Sequence, residues 1–446
     1  MCARKPRLRP KAKSLPQAMR EFLTPVVFRQ VRKAASQRKR PRWDIHPLLY
    51  VLLLSTWCVG DSLPEQFEVA RGFYIACCPK RKRPGKSFAG FEKALAKLPM
   101  PVLRTLSAAL RSRIVAVFDR RLFSHGFIPL GCDGTHLECP RSEELERRLG
   151  TFGKQGSAPK IWNTSIVHLT LGIPWSWRLG RGGKASERTH LMQMIPWLPK
   201  LTLLVTDAGY VGYDLLRTLL EAKVQFLMRM SSNALFYTEQ ETPLDQFREG
   251  IAYYWPDMIR KQARPPLRGR LLRIRSRKRK HDVWLFTNVE DRRRLPTEVA
   301  SQFYRWRWEN EGFFRTYKRT LNKFTLTSRM LRQVHREAEG SMLATQLLLC
   351  QGTLAMTAPR TKDETPRMCS PRSVLLEIRR AMRCQQPPLD FGRRLVSAAR
   401  ERRERRTPKA RRIWPARKKH KPPDPPRMLK LTEELKSHIQ NNLNAA

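Results

Sequence analysis

Apolar side chains recur at helical spacing through the first part of the chain, between about residues 46 and 125. Leu103, Leu106 and Leu110 fall on one face of a predicted helix. The apolar run over residues 47–60 is too short for a membrane-spanning helix, which needs about 20 residues. We therefore expect a buried helix there and no association with a membrane.

A change of pattern near residue 126 marks the start of a segment rich in strands. A short apolar run after Phe127 ends at Asp133, and runs rich in β-branched and aromatic residues follow at 162–171 and 175–179. These runs predict three successive strands, of which the last two form a hairpin.

Helices and strands alternate beyond that hairpin. Residues 186–197 have a helical pattern, and the continuous apolar run at 201–206 predicts a strand that is buried on both faces and ends at Asp207. A predicted helix at about 211–222 and a predicted strand at 225–230 follow. This order is typical of a mixed α/β layer.

The segment 231–290 interrupts the alternation and predicts a β-rich insertion. Its short strand-like runs are 253–255, 271–275 and 283–287. Helical spacing resumes at about 297–322 and again at 332–356, and the remainder of the chain is rich in Pro and Arg.

Charge sets this chain apart from an ordinary globular protein. Its 88 Lys and Arg residues against 38 Asp and Glu residues give a formal net charge of +50. A chain this basic repels itself unless polyanions neutralise it, so nucleic acid is the expected partner. Residues 400–421 carry twelve Lys and Arg against two Glu, and we expect this block to contact phosphates.

The patterns together predict three domains. Residues 1–125 are a basic arm followed by a helical region that contacts DNA, and residues 126–356 are an α/β core with the β-rich insertion. Residues 357–446 are a basic tail, either helical or disordered.

Cysteine usage and the N-terminus predict a cytoplasmic protein. The nine cysteines have no disulfide-framework spacing, and an odd number in a long chain is typical of a reduced, intracellular protein. The basic N-terminus lacks an apolar stretch followed by a small-residue cleavage site, so we expect no secretory signal.

One helix predicted near the end of the α/β core separates two sets of side chains. At about 100° per residue, the side chains that project within about 60° of one another are Tyr304, Arg307, Glu311 and Lys318. The opposite face holds Phe303, Trp306, Phe313, Tyr317 and Leu321. Glu309 points away from the first set, which favours Glu311 as the functional acid. A solvated face with Arg–Glu pairs is the alternative explanation.

Two further acids, Asp133 and Asp207, each follow a predicted strand of the same sheet. Neighbouring strand ends converge, and open α/β sheets place their sites at these ends. Both acids also lie in good turn sequences, which is an alternative explanation. The competing acids, none of which ends a predicted buried strand, are Glu138, Asp119, Asp214 and Asp257.

Three clustered carboxylates need a cation to offset their mutual repulsion. Asp133, Asp207 and Glu311 are therefore candidate metal ligands, and oxygen ligands of this kind suit Mg²⁺ or Mn²⁺. Two such ions about 4 Å apart would activate water or a 3′-hydroxyl and stabilise the leaving oxygen of a phosphodiester. Nearby Arg and Lys side chains would hold DNA phosphates.

Three sequence motifs resemble a known family of enzymes. The motifs are Asp133-Gly-Thr, Thr206-Asp207-Ala-Gly-Tyr and the spacing Tyr304-x2-Arg307-x3-Glu311-x6-Lys318. In type and spacing they resemble the DDE transposases of bacterial insertion sequences with the Y-R-E-K signature, the insertion-sequence-four type. The resemblance covers about residues 126–356.

This resemblance implies an RNase H-like catalytic core, with a β-rich insertion between the second Asp and the Glu. It implies Mg²⁺-dependent cut-and-paste transposition, in which strands are cleaved at terminal inverted repeats and joined to target DNA. It further implies a homodimer in a synaptic complex, associated with the bacterial nucleoid.

The resemblance also implies roles for individual residues. Asp133, Asp207 and Glu311 would be the catalytic metal ligands. The residues expected to contact phosphates at the transposon end are Tyr304, Arg307 and Lys318. Trp284 resembles a Trp of the insertion that stacks on a flipped base, although a Trp buried in a strand is the alternative.

Two other functions remain open. A catalytically decayed copy that binds DNA as an inhibitor would keep the motifs as relics. An RNase H-like nuclease or resolvase would cut branched DNA without strand transfer. The β-rich insertion and Lys318 favour the transposase.

Overall fold

A computed structural model describes most of the chain. The described residues are 14–35, 43–60, 62–81, 83–150, 156–181, 186–239, 243–275, 282–356, 368–384, 389–401, 424–433 and 435–437. The helices are α1 (Leu15–Arg20), α2 (Pro25–Ala35), α3 (Ile45–Trp57), α4 (Leu63–Cys77), α5 (Phe88–Lys97), α6 (Met100–Phe118), α7 (Glu143–Leu149), α8 (Glu187–Met194), α9 (Tyr213–Glu221), α10 (Asp257–Lys261), α11 (Thr297–Trp306), α12 (Glu309–Arg315), α13 (Leu331–Ala355), α14 (Pro371–Arg383) and α15 (Phe391–Arg400). The strands are β1 (Ile128–Glu138), β2 (Lys160–His168), β3 (Pro174–Arg181), β4 (Thr202–Thr206), β5 (Gln225–Met230), β6 (Leu235–Thr238), β7 (Glu249–Tyr254), β8 (Leu267–Ile274), β9 (Val283–Thr287) and β10 (Arg427–Lys430).

The chain divides into two compact units. The first consists of residues 1–122, 134–185 and 311–403, and the second of residues 123–133, 186–310 and 404–446. The three domains predicted from the sequence stay a prediction.

Helix α13 forms the centre of the core of the first unit. Its residues from 338 to 353 are all buried. An added Cβ at Gly340 would lie 2.7 Å from Leu52 of α3, so glycine permits the close approach of these two helices. Trp57, at the end of α3, donates its indole N–H to the carbonyl of Ala344 at 3.2 Å.

Helix α3 confirms the buried helix predicted over residues 47–60. Every residue of α3 except Ser55 is buried, and the side chain of Asp44 caps it by accepting the amide of Ile45 at 2.8 Å. Within the described part of the chain, no helix is long and apolar enough to cross a membrane.

Strands β2 and β3 form the antiparallel hairpin that the sequence predicts, with Ile161 opposite Arg181. Two side-chain hydrogen bonds hold this hairpin on α13. Trp177 donates its indole N–H to Glu339 Oε2 at 2.7 Å, and Gln346 Nε2 donates to the carbonyl of Pro174 at 2.7 Å.

The second unit contains a mixed sheet with the strand order β10-β6-β7-β8-β9-β5-β4-β1. Strands β1, β4 and β5 pair in parallel, as in an α/β layer. All five residues of β4 are buried, as its continuous apolar sequence predicts. The mixed α/β class is thus confirmed.

The predicted insertion continues this sheet. Strand β9 pairs antiparallel with β5, with Met230 opposite Trp284, and β8, β7 and β6 follow in order. The C-terminal strand β10 pairs in parallel with β6, so that Arg427 lies opposite Leu235. The sequence patterns indicated neither β6 nor β10.

The single helix predicted over residues 297–322 is wrong. Helix α11 ends at Trp306, α12 begins at Glu309, and residues 316–320 form a π-helical turn. At the break, the amides of Arg307 and Trp308 donate to carbonyls three residues earlier, at 3.2 and 3.3 Å, which tightens the backbone. A constant angle of about 100° per residue therefore does not extend from Tyr304 to Lys318. The expected aromatic face is nevertheless buried, at Phe303, Trp306, Phe313, Tyr317 and Leu321.

Candidate active site

Asp133 lies on β1, and Asp207 directly follows the neighbouring parallel strand β4. Strand β1 pairs with β4 from Ile128 opposite Thr202 to Gly131 opposite Val205. Continued by two residues beyond this pairing, the same register would bring Asp133 level with Asp207. Residues level with each other on adjacent strands project to the same face of a sheet. The convergence of the two side chains stays a prediction.

Asp133 itself does not end its strand, contrary to the prediction. Strand β1 continues to Glu138, although its pairing with β4 stops at Gly131. Asp133 therefore lies two residues beyond the part of β1 that pairs with β4, in the middle of a long strand. The apolar run that predicted this strand covers only its buried part, beside β4. The half-buried residues that follow Cys132 remain in an extended conformation.

Asp207 lies directly after β4 and shapes the turn there. Its Oδ1 accepts the amide of Gly209 at 2.9 Å, and Arg188 Nε donates to the carbonyl of Gly209 at 3.0 Å. The turn explanation for this acid is thus correct, and it leaves the carboxylate beside the sheet edge, half-buried.

A third acid, Glu187 at the start of α8, lies near both aspartates. Burial raises the pKa of Glu187, and the charges of Asp133 and Asp207 raise it further. The phenol of Tyr210 hydrogen-bonds to Glu187, and Cys132 Sγ donates to Tyr210 Oη at 3.5 Å. The sequence pattern did not single out Glu187, because it lies at the start of a helix and no motif includes it.

Carboxylate oxygens suit a divalent cation, and the charges of Asp133 and Asp207 both act on Glu187. Among the residues that the structure describes, no three His, Cys, Asp or Glu side chains form a group that could hold a metal ion. Glu187 is thus an electrostatic neighbour of the two aspartates.

Three of the competing acids have cationic partners. Asp214 pairs with Arg264 at 2.7 Å, Asp257 with Arg260 at 3.5 Å, and Glu138 with Lys160 at 3.9 Å. The fourth, Asp119, has a backbone φ of 42° at the end of α6. An ion pair is a structural reason for the presence of each of the first three acids, and it requires no catalytic role.

Arg307 lies in the break between α11 and α12, and it is buried. Its guanidinium carbon is 5.9 Å from the ring centre of Tyr304 and 5.1 Å from that of Trp308. Arg307 Nε has no hydrogen-bond partner among the described residues, nor have the amide atoms of the buried Asn310. The guanidinium of Arg307 thus lies near two aromatic rings and has a donor without a partner among the described residues. Such a donor is suited to a phosphate oxygen.

Glu311 and Glu309 lie on the short helix α12, Glu311 exposed and Glu309 half-buried. Asn310 and Glu311 mark the boundary between the two units, so Glu311 belongs to the first unit and the two aspartates to the second. The choice of Glu311 rests on the spacing of the motif.

Lys318 lies in a basic and aromatic cluster of the first unit. Its Nζ is 5.4 Å from the ring centre of Phe324. Burial lowers the pKa of Lys318, the charge of Glu138 raises it, and that of Lys160 lowers it. A phosphate would offset the repulsion that Lys318 experiences from Lys160, so Lys160 is a second candidate DNA contact that sequence spacing did not reveal.

Trp284 is buried in β9, with 5% of its surface exposed. Its ring stacks on Phe247, with centroids 5.6 Å apart, and the guanidinium of Arg273 lies 5.6 Å from its centre. The role of Trp284 in stacking on a base stays a prediction, and its packing is a fact of the fold.

We expect Trp284→Ala to destabilise the protein by about 3–5 kcal/mol, because the change leaves a cavity between Phe247 and the sheet. Chemical denaturation of the full chain measures this loss. The matched control is Trp308→Ala, since Trp308 is 50% exposed and should cost far less. Equal losses for the two variants would show that the Phe247 contact contributes little.

Comparisons with known proteins relate this chain to transposases. Residues 132–347, just under half of the chain, match the family model of the transposase DDE domain. A cryo-EM structure of a piggyBac transposase synaptic complex with hairpin DNA is similar over 88% of this chain and 84% of that chain, with a TM-score of 0.42 and 11% sequence identity. No curated protein matches the chain. The matched segment contains Asp133, Asp207 and Glu311.

Proposed function

We propose that this chain is a DDE transposase that cleaves DNA at terminal inverted repeats and joins the freed ends to target DNA. The observation that carries the proposal is that Asp133 on β1 and Asp207, directly after the neighbouring parallel strand β4, both lie in the segment that matches the transposase DDE domain. The Y-R-E-K spacing and the net charge of +50 support the same function.

In this proposal, Asp133, Asp207 and Glu311 are the catalytic carboxylates and hold Mg²⁺ or Mn²⁺. When bound, such ions supply Lewis-acid activation of the attacking oxygen and stabilisation of the leaving oxygen. By holding the ions, the three carboxylates would fix the position of the reacting phosphodiester. Since they are half-buried or exposed, DNA could reach them.

Cationic side chains position the DNA in the proposed reaction. The guanidinium of Arg307 offers its unused Nε–H to a backbone phosphate, and Lys318 offers its ammonium. Charge-assisted contacts of this kind fix the register of a protein on a duplex without reading its sequence. Tyr304, which packs under Arg307, would hold that guanidinium in place. We propose that two copies of the chain act together on paired ends.

The deciding experiment uses the full chain, Mg²⁺, and a duplex carrying the repeats that border its own reading frame. We expect 3′-strand nicking at the repeat and subsequent joining to a target plasmid. Mobility shift without nicking would instead indicate a decayed DNA-binding copy. Cutting of branched DNA without paired ends or joining would indicate a nuclease or resolvase.

Glu187→Gln is expected to weaken the response to Mg²⁺ several-fold. The variant removes one negative charge near Asp133 and Asp207, and a cation bound by these aspartates would lose that attraction. The Mg²⁺ concentration for half-maximal cleavage should rise. The increase in melting temperature that Mg²⁺ causes should shrink as well, because a weaker ligand stabilises less at the same concentration.

The matched control is Glu221→Gln, an exposed acid that pairs with Arg217 on α9 of the same unit. It should leave both Mg²⁺ responses unchanged. If Glu187→Gln behaved like Glu221→Gln, the electrostatic role of Glu187 would be refuted.

For Trp284, we propose a contact with an unstacked base in a step after nicking. The ring is covered by Phe247, so the contact requires a rearrangement of this part of the insertion. Trp284→Phe keeps an aromatic face with little loss of packing, and Trp284→Leu removes the aromatic face. Normal nicking with slow joining in the Leu variant alone would support the contact. Equal loss at every step would indicate packing only.

A further inference from the structure

An open depression in the second unit lies apart from the acids discussed above. Its volume is about 350 Å³, and its lining residues are Gly250, Ile251, Arg270, Glu290, Asp291, Arg292 and Arg293. They come from β7, β8 and the segment that follows β9. At about 30 Å³ per water molecule, the depression is much larger than a single structural water requires.

Arg270 is the unusual residue of this depression. It is buried, with 1% of its surface exposed. Its NH2 group donates to the carbonyl of Leu295, but Nε and NH1 have no partner among the described residues. Buried guanidinium donors without partners are costly, and burial accordingly lowers the pKa of Arg270. A ligand that accepts hydrogen bonds and carries negative charge would remove this cost.

The acids around Arg270 are already occupied. Glu290 pairs with Arg268 at 2.9 Å, and Glu249 pairs with Arg292 at 3.0 Å. Asp291 Oδ1 accepts a backbone amide two residues later at 2.8 Å. The charges of Glu249 and Asp291 raise the pKa of Arg270, but the hydrogen bonds and ion pairs of these carboxylates go to other groups.

Arg293 provides a second free cation at the same place. It is exposed, and its guanidinium has no ion pair with another residue that the structure describes. Arg270 below and Arg293 at the rim are thus two cationic groups with donors to spare, in a space large enough for a tetrahedral oxyanion.

We propose that this depression binds a phosphate group, through Arg270 at its base and Arg293 at its rim. Arginine is well suited to phosphate, because its planar fork donates several hydrogen bonds to phosphate oxygens. The phosphate could belong to a DNA backbone or to a free phosphate ester, since both present the same oxygens. The proposal does not depend on the catalytic function.

The first experiment is calorimetric titration of the full chain with inorganic phosphate at constant ionic strength. Arg293→Ala is expected to weaken binding about tenfold, the effect of one charge-assisted hydrogen bond. Arg294→Ala is the matched control, because Arg294 is the next residue, is exposed, and does not line the depression. It removes the same charge and should leave binding within about twofold of wild type.

Arg270→Lys is the second variant, because it keeps the buried charge but removes most of the donors. We expect phosphate binding to weaken at least as much as in Arg293→Ala. The circular dichroism spectrum and melting temperature without phosphate verify that the variant is folded. If Arg270→Lys does not fold, Arg293→Ala against Arg294→Ala alone decides the proposal. Equal phosphate binding by these two variants would overturn it.

A second titration with a short DNA duplex distinguishes the two sources of phosphate. If Arg293→Ala weakens duplex binding more than Arg294→Ala does, the site takes a backbone phosphate. If the two variants bind duplex equally but differ toward inorganic phosphate, the site takes a free phosphate ester. Neither titration requires cleavage, so this proposal can fail while the transposase proposal stands, and the reverse also holds.

Discussion

Asp133→Asn and Asp207→Asn should each reduce DNA strand cleavage by about a thousandfold or more, which corresponds to about 4 kcal/mol of transition-state stabilisation. Each change removes one charge from the two acids that the register of β1 and β4 would bring level with each other. The amide keeps the shape of the side chain. In Asp207→Asn the remaining oxygen can still accept the amide of Gly209, so the turn should persist.

Gel analysis of end-labelled duplex, with single-turnover rates, measures the effect. Asp214→Asn is the control for charge removal, because Asp214 belongs to the same unit, is exposed and pairs with Arg264. Its rate should stay within about twofold of wild type. Wild-type cleavage by either the Asp133 or the Asp207 variant would remove that residue from the catalytic set.

Helix α12 offers a sharper comparison within two residues. Glu311→Gln should reduce the cleavage rate about as much as the aspartate variants do. Glu309→Gln should retain most of the wild-type cleavage rate. Both variants remove one charge from the same short helix, so a general electrostatic effect would act on both alike. A larger loss for Glu309 would show that the Y-R-E-K spacing identified the wrong acid.

Raising the salt concentration from 50 to 200 mM should weaken duplex binding by about 10³- to 10⁵-fold, if six to ten phosphates are contacted. The net charge of +50 provides the cations. The reason is the release of counterions from DNA when Lys and Arg replace them at the phosphates. Fluorescence anisotropy with a labelled duplex, at several salt concentrations, gives the slope.

The basic block at 400–421 should account for part of that slope. Most of this block lies outside the described residues. Replacing six of its Lys and Arg with Gln should lower the slope by up to about 5. A variant with the same residues in shuffled order keeps the charge and should retain the wild-type slope. A flat salt dependence of the wild-type protein would contradict the proposed role of the basic segments.

The local sequence pattern was sufficient to predict an element wherever burial repeats regularly along that element. The apolar run at 47–60 became the buried helix α3, the continuous run at 201–206 became the fully buried β4, and the helix predicted at 332–356 became α13. In these elements each residue's environment repeats with the period of the helix or strand, so the sequence alone displays it.

Pattern failed where a partner distant in sequence decides the conformation. Strand β10 exists because β6 offers it an edge, and four residues of a basic tail carry no sign of that pairing. The helix predicted over 297–322 breaks at Arg307, where hydrogen bonds to carbonyls three residues back replace the regular ladder. The same aromatic side chains are buried on both sides of the break. Their periodic spacing in the sequence therefore could not reveal that the helix is interrupted.

By itself, the sequence determined the mixed α/β class and the net charge of +50, and it supplied the acids proposed for catalysis. Only the tertiary structure decided that β1 and β4 pair in a register that would bring Asp133 level with Asp207, and that Glu187 lies close enough to respond to both aspartates. The register between parallel strands is set by contacts between segments far apart in the chain. A carboxylate's effect on another depends on the distance between them in space, which spacing along the sequence does not contain.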